Sequence, residues 1–276
     1  MIEFRTATLS EVAQILDWAA QEGWNPGLDD AGAFFATDPD GFFVAVDKSG
    51  EPIAAISVVN HTPDFAFLGL YIVRAAYRGH GIGVGLWAHA LRHAGDRTIG
   101  LDGVEAQQDN YRASGFTYAG GTTRFTGTLN GGRAKGVRDL HSDDIPTLIG
   151  MEAAASGVAK SSYLAGWVAG AATRRTVVFE HAGTITGFCT VRACRVGAKI
   201  GPLVAADEAT AQGLVMHAAT LFEGPVTLDV PESATALFDL CTQLGLDAGF
   251  KTARMYRGTP VAAHHPIYAV TSLELG

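Results

Sequence analysis

Apolar residues recur at helical spacing over Leu9, Val12, Ile15, Leu16 and Ala19, just behind Thr8 and Glu11, which can form a capping box. Together they predict a helix over Leu9–Gln21. The turn Trp24-Asn25-Pro26-Gly27 ends it, and a short helical piece follows at 30–36. Apolar runs at Phe42–Val46 and 53–59, separated by Asp47-Lys48-Ser49-Gly50-Glu51-Pro52, read as a β-hairpin, and Phe65–Val73 as a third strand. In the next helix, 84–94, Trp87, Ala90, Leu91 and Ala94 share a face, with His89, Arg92 and His93 turned away. A short strand at 98–101, a helical turn at 109–113 and an extended run at 116–125 complete this half. The order is mixed α/β, also describable as α+β, with an antiparallel section ahead of a strand, loop and helix.

At 126–136 the composition shifts to Thr, Asn and Gly, which marks a linker. The division expected is 1–126, a linker at 127–136, and 137–276. Past the linker the opening pattern returns at a constant displacement. Phe4-Arg5 matches Val137-Arg138, Val12 matches Ile145, Ile15 matches Leu148 and Gly50 matches Gly183. Leu101-Asp102 likewise resembles Leu228-Asp229. The chain therefore reads as two copies of one α/β unit.

The size, 276 residues, and the balance of 47% hydrophobic to 17% charged residues fit two folded cores rather than disorder. A formal charge of -8 opposes broad affinity for nucleic acid. The start Met1-Ile2-Glu3-Phe4-Arg5 lacks a secretory pattern and no apolar run reaches membrane-span length, so the expected setting is cytoplasmic, with no membrane partner. Cys189, Cys194 and Cys241 have neither disulfide arithmetic nor metal-ligand spacing, and His264-His265 reads as a polar loop; no metal is expected.

Arg78-Gly79-His80-Gly81-Ile82-Gly83 lies between the third strand and its helix. By itself it could be a plain tight turn. Its glycines would also leave backbone N–H groups unscreened at a helix N-terminus, where a diphosphate can be held, and Arg78, supplemented by Arg74, can pair with phosphate. It is not a dinucleotide fingerprint, lacking the early βαβ unit, nor a nucleotide-triphosphate loop, lacking Lys-Ser or Lys-Thr. In the second copy, Arg192 to Pro202 stands where such a loop is expected and suits a bend, so that unit is expected to have lost the cofactor.

Approached through Tyr71-Ile72-Val73-Arg74 and followed by Asn110-Tyr111-Arg112-Ala113-Ser114-Gly115-Phe116, this loop resembles the acetyl-CoA-binding motif of the GNAT N-acetyltransferases. Gly23 to Gly27, Leu101 to Val104, Lys199 to Leu203 and Thr252 to Tyr256 resemble segments of a bacterial tandem-GNAT subgroup whose C-terminal copy is degenerate. The resemblance implies two tandem GNAT-like acyltransferase folds. It also implies an acetyl-CoA-dependent N-acetyltransferase acting on a primary amine of a small molecule, by direct attack with both substrates bound. A non-catalytic acyl-CoA sensor or an interaction protein is the alternative.

On that resemblance Arg78, Gly79, His80, Gly81, Ile82 and Gly83 hold the pyrophosphate, a backbone N–H at Ile72 or Val73 polarises the thioester, Asn110 orients the cofactor arm and Tyr111 protonates the departing thiolate. Among Asp102, Glu105 and Asp109, Glu105 is the preferred base because it lies just past a strand end. Trp24, Asn25 and Tyr71 are candidate acceptor-pocket residues, Trp24 equally a core residue under its turn; His61 lies near the expected channel. Arg192, Arg195, Lys199 and Arg254 could bind an anionic group of the acceptor or pair with Asp207, Glu208 or Asp229. Tyr163 and Trp167 could add aromatic surface at the junction or pack a helix face. A monomer suffices for this chemistry; a homodimer through a sheet edge or helix face remains open.

Overall fold

The computed structural model describes residues 2–261 and 265–276; His264 of the expected polar loop lies outside them. The first half runs β1 (Glu3–Thr6), α1 (Leu9–Gln21), α2 (Asp30–Thr37), β2 (Phe42–Val46), β3 (Pro52–Asn60), β4 (Phe65–Val73), α3 (Ile82–Ala94), β5 (Thr98–Val104), α4 (Gln108–Ala113) and β6 (Thr117–Gly127). The second repeats that order as β7 (Val137–Asp139), α5 (Ile145–Ser156), α6 (Ser161–Val168), β8 (Arg174–His181), β9 (Thr184–Ala193), β10 (Ala198–Ala205), α7 (Glu208–Ala218), β11 (Val226–Pro231), α8 (Thr235–Gln243) and β12 (Asp247–Arg257). A short β13 (Tyr268–Ala269) follows.

α1 starts where the sequence predicts. Thr8 Oγ1 accepts from Glu11 N–H, and the Glu11 carboxylate accepts from Thr8 N–H. Arg5 bonds the same carboxylate and, with Thr8, holds its pKa down to about 2. α3 buries Ile82, Leu86, Ala90 and Ala94, a stripe one position around from the expected face. Consequently His89 and His93 pack on Phe43, and His93 Nε2 bonds Asp38 at 2.8 Å, instead of turning away.

The described strands form one sheet in the order β1-β2-β3-β4-β5-β12-β6-β11-β10-β9-β8-β7, with β13 on β10. The last strands of the two halves are exchanged. β12 lies antiparallel to β5, and β6 lies antiparallel to β11. Neither half completes its own sheet, so the pairing crosses between the two halves.

Buried polar pairs fasten this exchange. Arg124 on β6 forks onto Asp229 of β11 at 2.7 and 2.8 Å, and Arg254 on β12 forks onto Asp102 of β5 at 2.8 Å. Removing one partner of such a pair strands the other charge, at about 3–5 kcal/mol. Between the helical layers Phe34 of α2 stacks on Trp167 of α6 at 5.7 Å, with Tyr163 beside both; these two aromatics belong to the core of the junction.

After β12 the chain returns through the sheet. β13 pairs Leu203 and Val204 of β10, and Val270 N–H bonds Asp229 O on β11, so this segment fills the parting between those two strands. It then passes Gly201, where a Cβ would stand 2.4 Å from Val270 O, and Gly69, where a Cβ would stand 2.0 Å from Glu274 O. Only glycine admits that path. His61 Nε2 and Lys160 Nζ bond the main-chain oxygens of Leu275 and Gly276.

Candidate functional site

In the first half the equivalent parting stays open. β4 and β5 pair in parallel only from Phe65/Thr98 to Leu68/Leu101. Just beyond, β4 carries one extra residue against β3: Ala55 faces Ile72 but Ser57 faces Gly69, and Leu70 sits at φ 48°. Such a bulge bends its strand, and here it turns β4 away from β5. Arg74 N–H bonds Ile53 O on β3. By the two-residue alternation of strand groups, Val73 N–H and C=O therefore face away from β3, toward the parting, and Ile72 N–H faces β3. Arg78 Nε donates to that Val73 oxygen at 2.8 Å.

The parting is a cavity of about 450 Å³. It meets the glycine loop at Arg78. Its walls also include Trp24, Tyr71, Tyr111, Phe250, Leu273 and Glu274, with Arg124 lying over the Phe250 ring. At the loop, a 3-10 turn over Ala75–Tyr77 leads into Gly79 (φ 79°) and Gly81 (φ 75°), and Gly81 caps α3 with no side-chain hydrogen bond. A Cβ on either glycine would meet nothing within 4 Å, so the space over the first turn is open. Its N–H groups lack intrahelical acceptors by the geometry of any helix start, which is the arrangement an anion uses. The open cradle and unpaired strand edge fit a diphosphate with a long arm. Arg78 Nη2 meanwhile bonds Glu22 at 2.6 Å at the cavity mouth.

Tyr111 is held from two sides. Its ring stacks on Trp87 at 5.7 Å and 21°, and Gly103 lies so close beneath that a Cβ would reach within 2.8 Å of the ring. Burial, then Tyr71, push its phenol up to about 12, and burial also raises Tyr71. A phenol in that state keeps its proton throughout the neutral range.

Tyr111, Tyr71, Ile72, Val73, Arg78 and Trp24 come together on this cavity. Several other expected residues do not. Glu105 lies in an exposed 3-10 turn outside the cavity, because β5 continues to Val104 and the chain then swings outward. Asp109 is exposed and paired with Arg112, and Asp102, which does line the cavity, is committed to Arg254. Asn110 is exposed and bonds Gln107, and Arg74 lies near Glu51. Asn25 bonds the main chain of Val196. Arg192 is buried on Asp30 at 2.9 Å, and Arg195 pairs at the surface with Asp17, so both cations have carboxylate partners within the chain, though not the expected ones. His61 anchors the segment after β13 rather than lining the channel.

The second half differs in another respect from the sequence reading. Arg192 to Pro202 forms the end of β9, its turn and the start of β10, not the counterpart of the glycine loop. The counterpart is the short link Ala206-Asp207 ahead of α7, where Asp207 Oδ1 accepts from Thr210 N–H at 2.7 Å. The chain's own carboxylate thus sits at the anion position of this helix, and β13 fills the adjacent parting. Among the described residues no group of three His, Cys, Asp or Glu side chains is arranged to hold a metal, and no helix is long and apolar enough to cross a membrane.

Sequence reasoning missed Arg124, Phe250, Leu273 and Glu274. They reach the cavity only through the exchanged strands and the segment after β13. Glu274 is buried, and among the described residues its Oε2 has no hydrogen-bond partner.

Two family models match the chain: the "Acetyltransferase (GNAT) family" over residues 9–118 and the "Acetyltransferase (GNAT) domain" over residues 148–269. The holothin acyltransferase of Pseudoalteromonas sp. (strain SANK 73390) is 34% identical over 277 residues, covering 99% of this chain and 94% of that protein. A proposed acetyltransferase from Pyrococcus horikoshii has a similar fold, with a TM-score of 0.81 at 20% identity over 100% of this chain and 96% of that one. A tandem GNAT protein from the clavulanic acid biosynthesis pathway gives a TM-score of 0.64 at 16% identity over 94% and 100%.

Proposed function

Because this chain belongs to the GNAT acyltransferase family, we propose that it moves an acetyl group from acetyl-CoA to a primary amine of a small molecule, with both substrates bound together in the parting of β4 and β5. One observation carries the reading. A single cavity, adjoining the glycine loop at Arg78, is lined by Tyr111 and also by Trp24, Phe250 and Glu274, so donor and acceptor can meet without the protein being acylated.

Backbone amides from Gly79 to Gly83 hold the diphosphate of coenzyme A, with Arg78 adding its guanidinium. Bound acetyl-CoA supplies a thioester, whose carbonyl is open to amine attack. Val73 N–H, on the unpaired edge, is aimed to stabilise negative charge building on that carbonyl oxygen. Tyr111 holds a proton for the departing sulfur. His80 and Ile82 border the donor, and Trp24 and Tyr71 flank the acceptor. Arg192, Arg195, Asn25, Arg74 and Glu105 take no part. The second half contributes Phe250, Leu273 and Glu274 to the acceptor site and binds no donor of its own.

The relative named for holothin makes holothin the first acceptor to try, beside a panel of small primary amines. The expected result is release of free thiol from acetyl-CoA only when an acceptor is present, with the acceptor recovered heavier by one acetyl group. Thiol release that no amine accelerates would contradict the reading.

A further inference from the structure

Glu274 has a placement that calls for a partner. Its side chain is 4% exposed and lines the cavity, yet Oε2 is enclosed without a hydrogen bond among the described residues. A buried carboxylate oxygen left unpaired has lost its hydration with no bond to replace it. The neighbouring cations do not supply the bond, because each has its own acceptor. Arg124 forks onto Asp229, Lys199 Nζ donates to Trp24 O at 2.7 Å, and Arg192 bonds Asp30. These three, with Asp30, Tyr163 and Cys194, are the charged and titratable groups coupled to Glu274, from α2, α6, β6, β9, the turn after β9, and β10. The segment carrying Glu274 is also fixed: Gly69 presses on its main-chain oxygen, and His61 and Lys160 bond the two residues after it. A carboxylate held rigidly, buried and unpartnered in the wall of the cavity is built to receive a donor from outside the chain.

We propose that Glu274 anchors the acceptor's ammonium group and is the general base that removes its first proton; this rests on the acyl-transfer reading above. The walls around it, Trp24, Tyr71, Phe250 and Leu273, select an amine carried on a compact apolar or aromatic body. The protons balance as follows. The ammonium gives one proton to Glu274, and the neutral amine forms the N–C bond as the C–S bond breaks. One of its two remaining protons stays on the amide, the other reaches the sulfur by way of Tyr111, and Glu274 releases its proton to solvent. The carboxylate comes from the second half of the chain and the donor cradle from the first, so the active site is completed only by the segment that follows β13.

The test compares wild type, Glu274→Gln and Glu274→Asp in acceptor-dependent thiol release with benzylamine, tyramine and tryptamine. Acetyl-CoA affinity and thermal midpoint are measured in parallel. Glu274→Gln should lower kcat/KM about 10²-fold or more near pH 7 at unchanged acetyl-CoA affinity. The deficit should shrink as pH approaches the amine's own pKa, where the acceptor arrives already deprotonated. Glu274→Asp, which keeps the charge, should lose less, and it carries the test if the glutamine variant does not fold. Wild-type turnover with a Glu274→Gln variant within threefold at every pH would overturn the inference and leave the acyl-transfer reading intact. So would a loss of the same size at every pH. Absence of turnover by the wild type with all three amines would overturn both.

Discussion

Replacing Gly69 by Ala isolates the role of the segment after β13. Gly69 does not have a positive φ, so alanine brings no backbone strain, only a methyl group. That methyl would stand 2.0 Å from Glu274 O, 2.9 Å from its carbonyl carbon and 3.2 Å from its Cα. All three are main-chain atoms with no rotamer to relieve the contact. The Glu274 backbone must retreat on the order of 1 Å, and overpacking of this kind costs about 1–3 kcal/mol. For a chain of this size each kcal/mol is roughly 2–4 °C in Tm. The nearest atoms met by the methyl all belong to Glu274, not to the donor cradle, which keeps its geometry. A displacement of that size near the reacting atoms is worth about 10²-fold in rate. Gly69→Ala should therefore lower kcat/KM about 10²-fold while acetyl-CoA, titrated calorimetrically, binds as in wild type. Wild-type kcat/KM in a folded Gly69→Ala protein would refute the claim that this segment builds the acceptor site. A parallel loss of acetyl-CoA binding would show that the donor and acceptor sites are not separable.

Three further outcomes follow from the same geometry. Tyr111→Phe should reduce kcat about 10²-fold, near the lower end for a lost general acid because a thiolate leaves readily, with donor affinity unchanged; steady-state kinetics with calorimetry checks both. Gly81→Val forces a β-branched residue into a left-handed conformation at the α3 cap, so acetyl-CoA affinity should fall at least tenfold, read by the same titration. Burial, then Lys160, hold His61 down to about 3, so the folded state keeps it neutral while the unfolded chain binds its proton near pH 6.5. Stability from this group is fully present above about pH 6.5 and is lost as pH falls toward 3, at up to about 1.4 kcal/mol per unit. Urea midpoints measured at pH 7.5 and 5 should differ less in His61→Gln than in wild type, and equal differences would sink the assignment.

What the sequence made legible was local. The Thr8 and Glu11 box marks the start of α1 because both partners lie within one turn, and the glycines before α3 announce a helix start with unscreened N–H groups. The repeat was legible because its spacings persist. What stayed hidden depends on long-range pairing, which hydrophobic alternation does not specify. Nothing near Asp247–Arg257 says that this strand lies between β5 and β6. Glu274 has no local signature, and only the passage past Gly201 and Gly69 brings it to the cavity. Arg192 reads as an anchor for an anionic acceptor group or a partner of Asp207, Glu208 or Asp229 until the fold sets Asp30 beside it. For Glu105, nearness to a strand end in sequence does not give the direction of the turn that follows.

The most direct test of the whole account is the number of acetyl-CoA molecules each chain binds. One parting is open behind a glycine cradle, while the other is filled by β13 beside a helix capped by Asp207. Calorimetric titration of the intact protein should therefore find one site per chain, abolished or strongly weakened by Gly81→Val. Two sites per chain, or one that survives Gly81→Val undiminished, would contradict it.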